Sequence, residues 1–378
     1  MRSGKLVWKN LLRHKGRTLL SIGGVASAMA LLVLVESLGM GLNQVMSSTE
    51  SARTLIVYRK NRYCPQTSFL PEWYGPEIES VEGVESVLPI KVFLNNCRAS
   101  LDLVTFQGSP VETMLSTRQI EIIDGSVAEY RKAGDAALVG ADFAARKGLS
   151  VGDKFKFGDI DVRVSGIFES REASEESLIL THLEFLQRAS QVSRLGTVTQ
   201  YEVKVTDASL AREVSQAIDA RFASAEEPTD TRARVAFLET ATRDLGEILR
   251  YGRLLGLACV VVVLALVSNT VFMSTQERVR EFGVFRTFGY REIHVAWLVV
   301  AEALILSVLG ALIGVGGALA VLEWTHLSIG SEGVTVTFAT SPGLIARGFG
   351  IALGAGAIAG LLPALRSARA PIVASLRA

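Results

Sequence analysis

Residues 254–273 read LLGLACVVVVLALVSNTVFM, an apolar run without one formal charge. A hydrocarbon core about 30 Å thick is crossed by roughly 20 mostly apolar residues in a helix, and this run is long enough. Three more stretches pass the same test. They are 18–42, broken only by Glu36; 295–322, which contains Glu302; and the Gly-rich 344–365, with Arg347 near its start, where a long side chain reaches the headgroups. A chain of 378 residues with 49% hydrophobic residues and a mean hydropathy of +0.33 is too apolar for an ordinary soluble enzyme. The expected fold class is a membrane α-helical protein with four transmembrane helices. The first run reads as a retained anchor and not as a cleaved signal peptide, because it is about twice a normal h-region and no A-x-A-like site closes it.

Lys and Arg beside the crossings set the orientation. The N-terminal segment carries Arg2, Lys5, Lys9, Arg13, Lys15 and Arg17 with no acid among them. Arg278, Arg280, Arg286 and Arg291 follow the second crossing, and Arg366, Arg369 and Arg377 follow the fourth, whereas 323–343 has no Lys or Arg. Both termini and the loop 276–291 are therefore expected on the cytoplasmic side of a membrane crossed by several passes. The large insert between the first and second crossings lies outside. The net charge of +1 conceals this asymmetry and gives no sign of nucleic-acid binding.

The expected division is a basic cytoplasmic segment (1–17), the first crossing with the start of a stalk (18–45), an extracytoplasmic domain (46–228) and a stalk helix (229–253). The second crossing (254–275), a cytoplasmic loop (276–293), the third crossing (294–323), an external loop (324–343), the fourth crossing (344–365) and a cytoplasmic tail (366–378) complete it. The insert reads as mixed α/β. TLIVY at 54–58 is rich in β-formers, and 87–94 is a strand whose Pro places it at an edge or a bulge. A turn and short helix are expected within 71–81. In 137–168 a strand, a short helix ending at Gly148, a turn and a hairpin around Gly158-Asp159 follow in order. A strand at 201–205 and a helix at 209–222 make a β-α pair. From 229 the pattern is helical, with Asp230 as candidate cap and Leu238, Ala241, Leu245, Ile248 and Leu249 on one stripe. Without a turn signal before the second crossing, this helix would extend about 36 Å from the bilayer as a stalk.

Little in the chain can do chemistry. There is no G-x-x-x-x-G-K-[ST], G-x-S-x-G or H-E-x-x-H, and His14, His182, His294 and His326 are scattered, so no catalytic residue, metal site or cofactor is expected on this chain. Cys259, inside an apolar helix, is a small buried residue. Cys64 and Cys97 are the candidate disulfide: an oxidising compartment permits the bridge, which requires a Cα separation below about 7 Å. Gly310, Gly314, Gly316 and Gly317, and Gly350, Gly354, Gly356 and Gly360, sit inside hydrophobic helices. Small residues four apart let helix backbones approach, so Gly310, Gly314, Gly350, Gly354, Gly356 and Gly360 are read as packing positions. Glu36 and Glu302 lie close to crossing ends and do not form a proton relay; Glu302 is expected to be hydrogen-bonded, or paired with Arg347 if their depths match.

The segment 275–317 is the most informative. Its part 280–289 alternates charge with Phe282, Val284, Phe285 and Phe288, and Gly289 can stop a short helix. Such a helix either lies in the membrane interface or docks into a groove of a cytoplasmic partner.

Here the chain resembles the permease family of ABC transporters typified by MacB, FtsX and the LolC/LolE lipoprotein exporters. QERVREFGVFRTFGYREIHVAWLVVAEALI resembles the family's E-R-x-R-E-x-G-x-x-R-A-x-G segment followed by a glutamate, with Thr287 where alanine is usual. LLPALRSARAPIVASLRA resembles its P-A-x-x-A-x-x-x-P-x-x-x-L-R ending through Pro363, Ala364, Ala368, Pro371, Leu376 and Arg377. The resemblance implies that two permease copies pair, as a homodimer, and that each meets an ABC ATP-binding subunit through Arg278, Arg280, Glu281, Phe282, Val284, Phe285, Arg286, Phe288 and Gly289. ATP and Mg would be held by that partner, and ATP closure would pass through the crossings to the periplasmic domain by mechanotransmission. MacB carries its ATPase on the same chain, whereas this sequence begins at the basic segment. A separate ATPase is therefore expected, in the layout of a type VII, DevC-like stand-alone permease, with a periplasmic adaptor (membrane fusion protein) as a further partner. The expected function is a non-catalytic permease subunit of an exporter or extractor. The alternative is an FtsX-like signalling subunit controlling a cell-wall hydrolase, and a third reading is a tethered sensor without an ATPase. The large insert favours export over the FtsX-like reading, since FtsX has a small external domain.

Overall fold

The computed structural model describes residues 15–46, 53–62, 67–95, 103–172, 174–190, 195–331 and 334–368. In chain order the elements are α1 (Lys15–Met46), β1 (Thr54–Arg59), β2 (Leu70–Pro71), α2 (Tyr74–Glu79), β3 (Val84–Leu94), β4 (Thr105–Ser109), α3 (Val111–Thr117), β5 (Ile120–Gly125), α4 (Val127–Lys132) and β6 (Ala136–Gly140). Next come α5 (Ala141–Lys147), β7 (Lys154–Phe157), β8 (Ile160–Ser170), β9 (Leu178–His182), α6 (Leu183–Ser190), β10 (Thr197–Val198), β11 (Gln200–Val205), α7 (Ala211–Arg221), β12 (Thr229–Ala233) and α8 (Arg234–Ala241). The last are α9 (Arg243–Gln276), α10 (Val279–Thr287), α11 (Glu292–Thr325), β13 (Ser328–Ser331), β14 (Val334–Thr337) and α12 (Pro342–Ala368). The chain forms two compact units. A membrane unit takes the residues up to Gly39, Leu249–Trp324 and those from Ala339; an external unit takes Met40–Ile248 and Thr325–Phe338.

Four helices are long and apolar enough to cross a membrane: Lys15–Met46, Arg243–Gln276, Glu292–Thr325 and Pro342–Arg366. Within the membrane unit α1 and α9 run antiparallel. Arg17 pairs with Glu277 at 3.3 Å, Ser21 Oγ shares a 2.7 Å hydrogen bond with Thr270 Oγ1, and Glu36 pairs with Arg253 at 3.2 Å. Helices α11 and α12 are antiparallel too, with Gly348 beside Val315, Gly356 against Ser307 and Gly360 against Ala303. On α11, a Cβ at Gly310 would collide with Val25 and one at Gly314 with the backbone of Ala26. Bare backbone is what allows α11 to approach α1 so closely. A Cβ at Gly316, Gly317, Gly350 or Gly354 would meet nothing within 4 Å, so these glycines do not contribute to helix contacts among the described residues.

The external unit is built on a ten-stranded sheet in the order β12-β1-β11-β3-β4-β9-β6-β8-β5, with β7 paired to β8. The β12-β1-β11-β3 half is antiparallel, and the other half is mixed, with β4 parallel to β9 and β6 parallel to β8. Strand β3 serves both halves: Val84–Ile90 pairs with β11, and Lys91–Leu94 with β4. Pro89 thus has a partner strand on one side only, as its missing N–H requires, although β3 is not an edge strand of the sheet. Leu55, Val57, Tyr201, Val203, Val214 and Ile218 are among the residues forming the core of the first half. In that core Tyr74 stacks on Phe222 with ring centroids 4.0 Å apart. The second half has a core on each face, one including Leu138, Phe168 and Leu180, the other Phe106, Val139, Phe143 and Val164.

One expectation needs correction. Residues 229–253 are not one helix: Thr229–Ala233 is a strand paired with β1, α8 follows, and Thr242 separates it from α9. The β-branched Thr229 and Thr231 decide this, because their hydroxyls donate to Asp219 Oδ1 at 2.9 and 2.7 Å and the Thr231 N–H donates to Oδ2 at 3.1 Å. Asp230, expected as a helix cap, instead accepts from the Tyr58 hydroxyl at 3.1 Å. Of the stripe, Leu238, Ala241, Leu245 and Leu249 are buried and Ile248 is exposed. Within the stretch expected as an external loop, 324–343, strands β13 and β14 pair antiparallel and belong to the external unit. There Arg146 Nη1 donates to Ser328 Oγ, and Leu103 fills the space over Gly330. Cys64 and Cys97 lie outside the described residues; Cys259 is a free, half-buried thiol.

Near Arg146, burial pushes the Asp142 carboxyl above its ordinary value of 3.8, against the opposing pull of Arg146 and His326. Glu176 is raised by burial as well, and Asp142 adds to that rise. A carboxyl raised on folding holds its proton more tightly in the native state, so its contribution to stability grows as pH falls and is lost above the folded pKa. Asp142→Asn is accordingly expected to raise the unfolding midpoint at about pH 8, with the gap from wild type closing towards about pH 4. Thermal unfolding across that range measures it, and a gap that widens on acidification would contradict the assignment.

Candidate functional site

The turn between α9 and α11 is where the sequence places its coupling residues. Helix α9 stops because Arg278 leaves helical geometry (φ −118°, ψ 11°), and α10 restarts at Val279 with the Phe282 N–H donating to the Arg278 carbonyl at 3.0 Å. At the other end the N–H groups of Phe288 and Gly289 bond the carbonyls of Val284 and Arg286, and Gly289 takes φ +87°, which only a residue without Cβ adopts freely. Arg286 Nη2 then donates to Glu292 Oε1 at 2.6 Å, tying the short helix to the first turn of α11, where an acid also suits the helix dipole.

The inner side of this turn is a buried polar set. The Arg278 side chain is only 5% exposed; its Nε donates to Glu281 Oε2 at 2.9 Å, and its guanidinium lies over the Phe282 ring, 5.0 Å from the centroid. Its Nη1 is 3.9 Å from Glu302 Oε2, and the other Glu302 oxygen accepts from Ser274 Oγ at 2.8 Å. Glu302 is thus answered by Ser274 and Arg278, not by Arg347. An acidic side chain at this depth is tolerated because it is hydrogen-bonded and has a cation beside it. Glu36, the other intramembrane acid, pairs with Arg253. Ser274 was missed by sequence reasoning. It lies 28 residues from Glu302 in an unremarkable helix end, with no local signal to connect them.

The predicted coupling residues divide between two faces. Phe282 is 3% exposed and Arg278 is buried, whereas Val284 is 39% and Phe288 77% exposed, with Arg280 and Glu281 also outward. Phe282 therefore holds the helix to the rest of the unit and is not available as a docking side chain. The side chain of Phe285 lies outside what the structure describes.

Comparison with known proteins places this geometry. Residues 253–372 match the model of the FtsX-like permease C-terminal family, and residues 18–221 match that of the MacB-like periplasmic core domain. The chain belongs to the MacB/FtsX family of ABC-transporter permeases. Among its relatives, the pyoverdine export ATP-binding/permease protein PvdT of Pseudomonas syringae pv. tomato is 24% identical over 98% of this chain and 58% of its own length. The macrolide export ATP-binding/permease protein MacB of Hyphomonas neptunium is 34% identical over 29% of this chain and 16% of its own. This permease spans about 58% of the length of the first of these relatives. The solved periplasmic region of MacB from Actinobacillus actinomycetemcomitans is similar over 52% of this chain and 96% of its own, at 9% identity and a TM-score of 0.36.

Proposed function

We propose that this permease is the membrane component of an ATP-driven exporter or extractor, in which closure of a cytoplasmic ABC ATP-binding component is transmitted mechanically to the external unit. The 378 residues contain no phosphate-cradling loop, so ATP and Mg belong to a component outside them. A second permease copy and a periplasmic adaptor complete the proposed assembly, with both chain termini on the cytoplasmic side.

The observation that carries this reading is the two-faced helix α10. Its inner face is fixed by Arg278 and Phe282, and its outer face offers Val284 and Phe288 to a partner. A helix held this firmly moves with the membrane helices on either side of it, so a partner that binds two arrangements unequally shifts the balance between them. The double variant Val284→Asp/Phe288→Asp is expected to lower recovery of an azido-ATP-labelled subunit from native membranes about tenfold, the loss typical of central interface residues. Its thermal unfolding should stay at the wild-type midpoint, since both side chains are exposed. Undiminished recovery of the labelled subunit would remove the docking role.

A further inference from the structure

A second polar centre lies in the external unit, where the two halves of the sheet share β3. Arg118, immediately after α3, is buried there with its side chain 5% exposed. Its Nη2 donates to Gln107 Oε1 at 2.6 Å. Glu175 Oε1 lies 3.5 Å from Nε and Glu202 Oε2 3.7 Å from Nη2, yet Nε and Nη1 have no hydrogen-bond partner among the described residues. Both carboxylates are already engaged: Glu202 accepts from Arg234 Nη1 at 3.0 Å, and Glu175 from Ser170 Oγ at 2.7 Å. Arg234 also pairs with Glu172.

Two cavities meet at this guanidinium. The smaller, about 70 Å³, lies between Gln107, Arg118, Glu175 and the α8 residues Phe237 and Leu238. The larger, about 340 Å³, has a wholly polar wall in which Arg118, Arg171, Lys204 and Arg234 face Glu172, Glu175 and Glu202. Buried polar groups are nearly always hydrogen-bonded, to protein or to ordered water, so these two guanidinium donors call for an acceptor in the adjoining space. Here donors are left over beside a space that exceeds a single water, which takes roughly 30 Å³, and the wall carries one positive charge in excess. The apolar residues at this centre, Phe237 and Leu238 among them, line the smaller cavity, so an acyl chain or aromatic group in the larger one would meet charged and polar side chains.

We propose that this seam is a binding site for a compact oxyanion group, a carboxylate or a phosphate, received by Arg118 and drawn in past Arg171 and Lys204. Hydrogen bonds to a charged acceptor are the strong kind, and a guanidinium suits either anion. Occupancy would also tighten the wall that α8 contributes, and α8 is separated from α9 only by Thr242. The site stands on its own geometry and holds whether or not the chain is an exporter.

Calorimetric titration of the full chain in nanodiscs, once with inorganic phosphate and once with succinate, tests it. Saturable binding of at least one is expected, weakened at least tenfold in Arg118→Gln and several-fold in Arg171→Gln, whose exposed parent side chain sits on the rim. Phosphate binding alone would identify free phosphate or a phosphoryl group as occupant, and succinate binding a carboxylate-bearing solute. No binding of either anion, or unchanged affinity in Arg118→Gln, overturns the site. Should Arg118→Gln fail to fold by thermal unfolding, unchanged affinity in Arg171→Gln overturns it instead.

Discussion

Arg278→Leu is expected to lower the stability of the membrane unit by about 3–5 kcal/mol, the usual cost of leaving one member of a buried ion pair without the other. The wild-type arrangement places Glu302, Ser274 and Arg278 in one buried set, and leucine would leave the Glu302 carboxylate with Ser274 alone. It would also remove the cation resting on Phe282 and so release the inner face of α10. Pairing Arg278→Leu with Glu302→Leu should recover most of the loss, since replacing a whole buried pair by apolar residues is often near neutral. Denaturation of the four variants in detergent or nanodiscs gives the coupling energy directly. Additive single and double variants would show that the two side chains do not act together.

Gly314→Leu is expected to destabilise by about 3 kcal/mol, the upper end of overpacking penalties, because the new side chain meets main chain and not a flexible side chain. Helix α11 would have to withdraw from α1 at Ala26. Gly317→Leu, one turn along the same helix, should stay within about 0.5 kcal/mol of wild type, since nothing stands within 4 Å of its Cβ position. Equal destabilisation by both would mean that the effect comes from helix flexibility and not from the α1–α11 contact.

That contrast shows how far the sequence reached. Gly314 and Gly317 sit in the same apolar, glycine-rich run, and hydropathy treats them alike. Which of them faces α1 depends on the rotation of α11 about its own axis, and the packing partners set that rotation. The same holds for Gly356 and Gly360, which touch α11, and for Gly350 and Gly354, which do not. In α10 the apolar positions were visible as a group, but the side on which Phe282 is buried and Phe288 exposed came only with the fold. In the external unit the alternating strands β6 to β8, with Gly148 and Gly158 between them, were legible because their signals are local. Strand β12 was not, because the Asp219 carboxylate that satisfies Thr229 and Thr231 comes from another element.

By itself the amino-acid sequence determined the four apolar spans, the large mixed α/β insert, the short charged helix between the second and third spans and the family to which they belong. These rest on hydrophobicity summed over about 20 residues and on motifs contained in single segments. Tertiary structure alone decided which glycines touch another helix, that Glu302 is answered by Ser274 and Arg278, that β13–β14 joins the external unit, and that Arg118 faces two cavities with donors to spare. Each of those depends on side chains far apart in the chain meeting at a definite rotation and register, which no local sum over residues contains.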